Sequence, residues 1–246
     1  VGALGELSLD RRGGRFEARR DRMLRRIVPG AGLEALDRAE MALPSLAVES
    51  WGPLVLICAD PTAVSPVARI RGLTEALDRT GWAGLRWHGR RTYEVSCNWK
   101  AYCDNYLDGG YHVGHLHASL AAQLDLDSYR TELFDGYNVQ TCDPAPEPNR
   151  VAGRTDGGAL YAWVYPNLML NRYGPCLDMN IVHPVSERRC RVTFDFWFDP
   201  DQSGDEAWRE ASLDDSERTQ REDMDVSERV QVGMETGTWR NGLIRP

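Results

Sequence analysis

The sequence predicts an α+β fold made of one antiparallel sheet and a long C-terminal helix. Three observations predict it. Residues 159–165, 168–173, 178–184 and 190–198 are apolar, aromatic and β-branched segments at hairpin spacing. Residues 203–232 form a long polar stretch of helix-forming composition. Between them in importance stands the run from Asn98 to His117, where Trp99, Tyr102, Cys103 and Tyr106 recur at helical spacing and lead into His112, His115 and His117.

Taken in order, residues 11–26 are Arg-rich and broken by Gly13-Gly14, and read as a solvated loop or a subunit contact. Residues 30–43 read as a short helix or loop. Residues 44–58 alternate and then turn apolar, as a strand pair does. Asp60-Pro61 opens a linker, and residues 69–79 read as an amphipathic helix ended by Thr80-Gly81. A strand or hairpin over 82–95 contains His88, which is read as structural. The main helix is expected over 96–109, a short helix over 116–126 and a strand over 128–142. Residues 143–158, with three prolines and three glycines, read as a loop. His183, before Pro184, reads as a satisfied strand histidine.

Composition narrows the function. The chain has 246 residues, 42% hydrophobic and 27% charged, with a net charge of −8. That balance suits a soluble, cytoplasmic globular protein and argues against nucleic acid or an anionic membrane surface as partner. No apolar run approaches the ~18 residues of a membrane span, and no signal peptide is visible. The six cysteines, at 58, 97, 103, 142, 176 and 190, form neither Cys-x-x-Cys nor Cys-x-His, and read as reduced thiols.

Three of the five histidines fall within six residues, with Asp104 and Asp108 just upstream. Imidazole and carboxylate together suit a divalent iron site of two His and one carboxylate. At about 100° per residue, His112 and His117 would lie ~140° apart on a regular helix, so a pair at this spacing needs a bent or ending helix. His112 and His115 share a face better. Gly114 and the Gly109-Gly110 pair permit a bend. The C-terminal helix offers the third ligand from Asp214, Asp215, Glu217, Glu222, Asp223, Asp225 and Glu228.

Asn98-Trp99-Lys100, then Asp104-Asn105-Tyr106-Leu107-Asp108, then Tyr111-His112-Val113-Gly114-His115-Leu116-His117 resemble the iron motif of the Rieske-type non-haem iron oxygenases, the ring-hydroxylating oxygenase large subunits. The wording is closest to the choline monooxygenase-like branch. The resemblance continues through Ala159–Asn171 and into Glu222-Asp223 and Val230–Gly233, and covers about residues 44 to 246. It implies a helix-grip (Bet v1/START-like) catalytic domain over 61–246, in which a sheet wraps the last helix, and a reduced β-rich Rieske-like remnant over 1–60. It implies a mononuclear Fe(II) held by His112, His117 and Asp223, with Asp225 a rival to Asp223 by spacing. It places Asn105 near the metal. Asp108, or Asp104, is a candidate hydrogen-bond acceptor for a ligand histidine. The resemblance further matches Asp108 to the carboxylate that links the first ligand histidine to the cluster of a neighbouring subunit in a trimer, although one branch has that carboxylate three before the His, where this chain has Gly109.

A Rieske [2Fe–2S] centre needs two Cys and two His. In the register of the family's second cluster motif, Val1 replaces a Cys and Leu4 a His, so no cluster is expected from this chain. The implied activity is O2-dependent oxidation of a small organic, aromatic or hydrophobic substrate. Its two electrons come from a cluster in sequence not shown, from the substrate itself, or from a reductase or cluster-bearing partner in a homo- or hetero-trimer. The non-enzymatic alternative is a helix-grip module that binds a small ligand.

Overall fold

The computed structural model describes residues 7–12, 15–20, 45–60, 62–146, 154–155 and 157–237. The chain forms two compact units, Gly2–Asp78 and Arg79–Pro246.

In the first unit, strands β1 (Leu7–Arg12), β2 (Arg15–Arg20), β3 (Ser45–Trp51) and β4 (Leu54–Cys58) form an antiparallel sheet in that order. The Arg-rich segment is therefore strand in part, not loop. Arg12 pairs with Arg15 across Gly13-Gly14, and the register runs on to Leu7 opposite Arg20. The segments 21–26 and 30–43, and the register of Val1 and Leu4, lie outside the described residues. Helices α1 (Pro66–Arg69) and α2 (Arg71–Asp78) group with this sheet rather than with the residues beyond the boundary expected at 60. The reason is a set of specific bonds to β3. Trp51 Nε1 donates to Thr74 Oγ1 at 2.8 Å, and the Ser65 hydroxyl donates to the Glu49 carboxylate at 2.7 Å. The same Ser65 hydroxyl accepts from Ala68 N and caps α1.

The second unit is the predicted antiparallel sheet with a long last helix. Its seven strands are β5 (Arg86–Val95), β6 (Leu124–Phe134), β7 (Tyr137–Pro144), β8 (Ala159–Val164), β9 (Leu168–Tyr173), β10 (Cys176–Ser186) and β11 (Arg189–Phe198). They run β5-β11-β10-β9-β8-β7-β6, so the first strand pairs with the last. The single strand expected over 128–142 is a hairpin instead. Gly136 takes a φ of +80° behind Asp135, and Phe134 pairs with Tyr137. The helix expected over 96–109 is shorter, α3 (Trp99–Tyr106), because the Asn98 side chain caps its start by accepting from Lys100 N.

Helix α6 (Glu206–Glu235) is capped by Asp205, whose side chain accepts from Trp208 N. At about 1.5 Å per residue it spans roughly 45 Å. Its inward face carries Ser212, Leu213, Ser216, Gln220, Ser227 and Gln231, all buried. A polar face survives burial here because its groups bond to the elements beneath it. Glu217 accepts from Tyr93 and Arg91, Gln220 from Tyr102, Glu228 from Ser96 N and Gln231 from Asn98 N. These bonds hold the helix against β5 and α3. The core around it includes Phe194, Phe196, Phe198, Met169 and Tyr173. All six cysteines are free thiols. No helix among the described residues is long and apolar enough to cross a membrane.

Candidate metal centre

Three short elements set the site. After α3 the chain passes Asp108 and takes positive φ at Gly109 (+74°) and Gly110 (+82°), conformations that a side chain strains. Gly110 has a second constraint, since an added Cβ would stand 2.6 Å from the Tyr129 ring. Helix α4 (Tyr111–Leu116) starts there. The Asp108 carboxylate receives Gly110 N at 3.0 Å and His112 N at 2.9 Å, which fixes the turn. The helix ends at Leu116, and His117 leaves it at φ −101°, ψ 68° before α5 (Ala118–Ala121). The ending helix removes the splay of a regular one, and the His112 and His117 rings stand edge to face with centroids 5.1 Å apart.

Both imidazoles turn Nε2 toward α6. His117 Nε2 is 3.1 Å from Asp223 Oδ1 and His112 Nε2 is 3.9 Å from the same oxygen. Each Nδ1 meets a different carboxylate: Asp108 Oδ1 at 2.8 Å for His112 and Glu222 Oε2 at 2.6 Å for His117. Asn105 Nδ2 donates to Asp223 Oδ1 at 2.7 Å and orients it. One donor atom each from His112, His117 and Asp223 lies within 4.8 Å of the others. The predicted pair of helix carboxylates thus divides. Asp223 points into the site, whereas Asp225 is exposed and pairs with Arg229. His115 is exposed and packs on Tyr111, away from the cluster. Asp104 is exposed on α3 and bonds to neither imidazole; Asp108 takes the role that the sequence left open between the two.

Glu222 is the functional residue that sequence reasoning missed in its role as the His117 partner. Its signal was adjacency: neighbours on a helix lie about 100° apart, so Glu222 and Asp223 straddle one imidazole.

The donor set fits a divalent cation. A neutral imidazole has one N–H and one lone pair. In His117 the Nδ1 proton answers Glu222, so Nε2 and the Asp223 oxygen would face each other as two acceptors unless a proton or a metal lies between them. Burial pulls the His117 pKa down, but Asp223 and then Glu222 outweigh it, and the value ends above the usual imidazole range. The site is built to hold positive charge. Its three carboxylates carry negative charge of which a divalent ion offsets the greater part, and two imidazoles with one carboxylate suit Fe(II).

Beside the cluster opens a cavity of ≈ 80 Å³, bounded by α3, α4, the sheet and α6. Tyr106, Tyr129, Tyr161, Tyr173 and Phe194 contribute aromatic walls. Burial holds the phenols of Tyr106, Tyr161 and Tyr173 well above their ordinary pKa, so they stay protonated.

Comparison with known proteins gives this geometry a family. The family described as the ring hydroxylating alpha subunit (catalytic domain) matches residues 83–245. The chloroplastic choline monooxygenase of Arabidopsis thaliana is 39% identical over 227 residues, covering 86% of this chain and 53% of that protein. That of Amaranthus tricolor is 32% identical over 215 residues, covering 85% and 49%. A solved quaternary ammonium Rieske monooxygenase superposes with a TM-score of 0.70 at 20% identity, over 85% of this chain and 57% of the other. Naphthalene 1,2-dioxygenase from Rhodococcus sp., bound to indole, does so with a TM-score of 0.65 at 17% identity, over 82% and 57%. The solved structures share the fold, and the chain spans about half the length of the curated relatives it matches. The chain belongs to the Rieske-type non-haem iron oxygenases, through the ring-hydroxylating alpha-subunit catalytic domain that works with mononuclear Fe(II) and O2.

Proposed function

We propose that this chain oxidises a small organic substrate with O2 at one Fe(II) held by His112 Nε2, His117 Nε2 and Asp223. The observation that carries the reading is the convergence of those three groups while each Nδ1 is tied to its own carboxylate. Fe(II) held by these three residues would supply the activation of O2.

The chain's own residues do the rest. Asp108 and Glu222 hold the two Nδ1 protons, fix the tautomers and make both imidazoles better donors. Asn105 fixes the rotamer of Asp223 through a 2.7 Å bond. Tyr102 is buried and binds Gln220 one turn before Asp223 on α6, which restrains the helix at the height of the site. The aromatic walls hold the substrate and exclude water.

The two electrons come from outside the described unit. Asp108 suits the entry point, because its side chain is 28% exposed while bonded at 2.8 Å to a ligand imidazole. We assign the donor to a reductase or a cluster-bearing neighbouring subunit, in a homo- or hetero-trimer. The names of the relatives support an ammonium or amine compound as one substrate class, and the aromatic cavity supports an aromatic one.

The test is O2 uptake by iron-loaded protein with a chemical reductant and a panel of small amines and arenes. Substrate-dependent uptake with an oxygenated product, lost in Asp223→Ala, is the expected result. Uptake that is the same in Asp223→Ala would reject the assignment.

A further inference from the structure

The cavity beside the metal cluster has a polar pole at its far end, built on α6 and β10. Along α6, Asp223, Gln220 and Ser216 follow one another at one-turn spacing, so Ser216 lies about 10 Å along the axis from Asp223. Ser216 Oγ donates to Asp178 Oδ2 at 2.9 Å, and Arg154 Nη2 donates to the same oxygen at 2.6 Å. Asp178 Oδ1 has no partner among the described residues. Asn180, two residues on and therefore on the same face of β10, lines the same cavity, and its Oδ1 also has none. Gln220 gives its Oε1 to Tyr102 and leaves Nε2 without a partner. Asp178, Asn180 and Gln220 are 3%, 4% and 1% exposed.

Buried polar groups are ordinarily hydrogen-bonded, and one left bare lowers stability. Four bare groups among the residues that line one cavity, these three and the Tyr161 hydroxyl, are a set of contacts prepared for a guest. The Asp178 and Asn180 oxygens can only accept. The charge of Asp178 is already balanced by Arg154, so the pole selects by hydrogen bonding more than by net charge. It contrasts with the opposite end, where the donor set is committed to a cation.

We propose that the molecule taken by this cavity carries an O–H or N–H donor received by Asp178 Oδ1 and Asn180 Oδ1 on β10; this rests on the reading of the cavity as the substrate site. Gln220 Nε2 serves an acceptor on the same molecule nearer the metal. A head group without donors, such as trimethylammonium, leaves both oxygens bare and desolvated, and is disfavoured. Asp178 and Asn180 are therefore specificity residues.

Four probes that share a 2-phenylethyl group separate donor from charge: the primary ammonium, the trimethylammonium, the alcohol and its methyl ether. Their affinities are measured by calorimetry on anaerobic iron-loaded protein, and iron content is assayed on the same samples. At least one donor probe should bind about tenfold or more tightly than its methylated counterpart. Discrimination by the ammonium pair alone identifies an amine as the donor, and by the alcohol pair alone a hydroxyl. In Asn180→Leu, which removes an acceptor at similar volume, the preference should fall below about threefold. The ligand-free variant should melt ~2–4 °C higher, because a bare polar group has gone. Methylated probes that bind as well as the donors, discrimination unchanged in Asn180→Leu, or a lower melting point in that variant would each overturn the proposal. Discrimination without iron would reject only the metal assignment; iron without discrimination would reject only the polar pole.

Discussion

Glu222→Ala isolates what a carboxylate beside a metal ligand contributes without touching the ligand itself. The Glu222 oxygen lies 2.6 Å from His117 Nδ1, the length of a charge-assisted bond. Removing it frees the imidazole to rotate and lowers its donor strength, changes that cost metal sites about 10–100-fold in affinity. The Glu222 side chain is 34% exposed, so solvent screens part of the charge and the loss belongs at the lower end. We expect Fe(II) affinity to fall by about 10–30-fold, which corresponds to ~1.4–2 kcal/mol. Glu222→Gln keeps an acceptor without the charge and should lose only part of that. The assay is anaerobic competition against a chromogenic ferrous chelator, with iron per chain read at saturation. Both variants should still fill with iron when enough is supplied. Wild-type affinity in Glu222→Ala would refute the coupling between Glu222 and His117. Failure to fill at any iron concentration would make Glu222 a ligand and require the site to be redrawn.

Three other outcomes follow from the same geometry. His115→Ala and Asp225→Ala should keep their iron in metal analysis, because the first packs on Tyr111 and the second pairs with Arg229. Gly110→Ala should lose about 2 kcal/mol or more in chemical denaturation, from left-handed strain of roughly 1–2 kcal/mol plus a Cβ within 2.6 Å of the Tyr129 ring, and should weaken iron binding because α4 carries His112. The Tyr93 hydroxyl, with help from Arg221 and Arg91 against burial, holds the Glu217 pKa below its usual value near 4.5. A lowered folded pKa adds stability that is present above the unfolded value and is lost as the pH falls through the folded one. The stability gap between wild type and Glu217→Gln should therefore be largest near neutral pH and shrink below pH ~4.5 in acid titrations of unfolding.

The sheet of the second unit was legible where residues alternate and hairpins are short, as in β8 to β11, and α6 was legible from its composition. Two kinds of element were not. Charge hid the strands β1 and β2, because runs of arginine carry little of the apolar alternation by which a strand is recognised. The Asp135-Gly136 turn was hidden inside a run of strand-forming residues, although Asp-Gly is itself a hairpin signal. At the candidate site, the histidines, Asp108 and Asp223 stood out because their residue types are those of metal chemistry. The ending of α4 at Leu116 was only a requirement of the His112–His117 spacing, and tertiary packing supplied it. Glu222 was one of seven candidate carboxylates on an acidic helix, and only its adjacency to Asp223 marked it as a neighbour of His117. Asp178 and Asn180 carried no signal, since polar residues in a strand ordinarily face water, and only the packing of α6 over β10 encloses them.

The central claim is that His112, His117 and Asp223 together hold one iron. Metal analysis of anaerobically reconstituted wild type beside His112→Ala, His117→Ala and Asp223→Ala tests it most directly, with circular dichroism to confirm that each variant is folded. The account predicts about one iron per chain in wild type and loss of stoichiometric iron in each folded variant. Full iron retention in folded Asp223→Ala, or no iron in wild type, would contradict it.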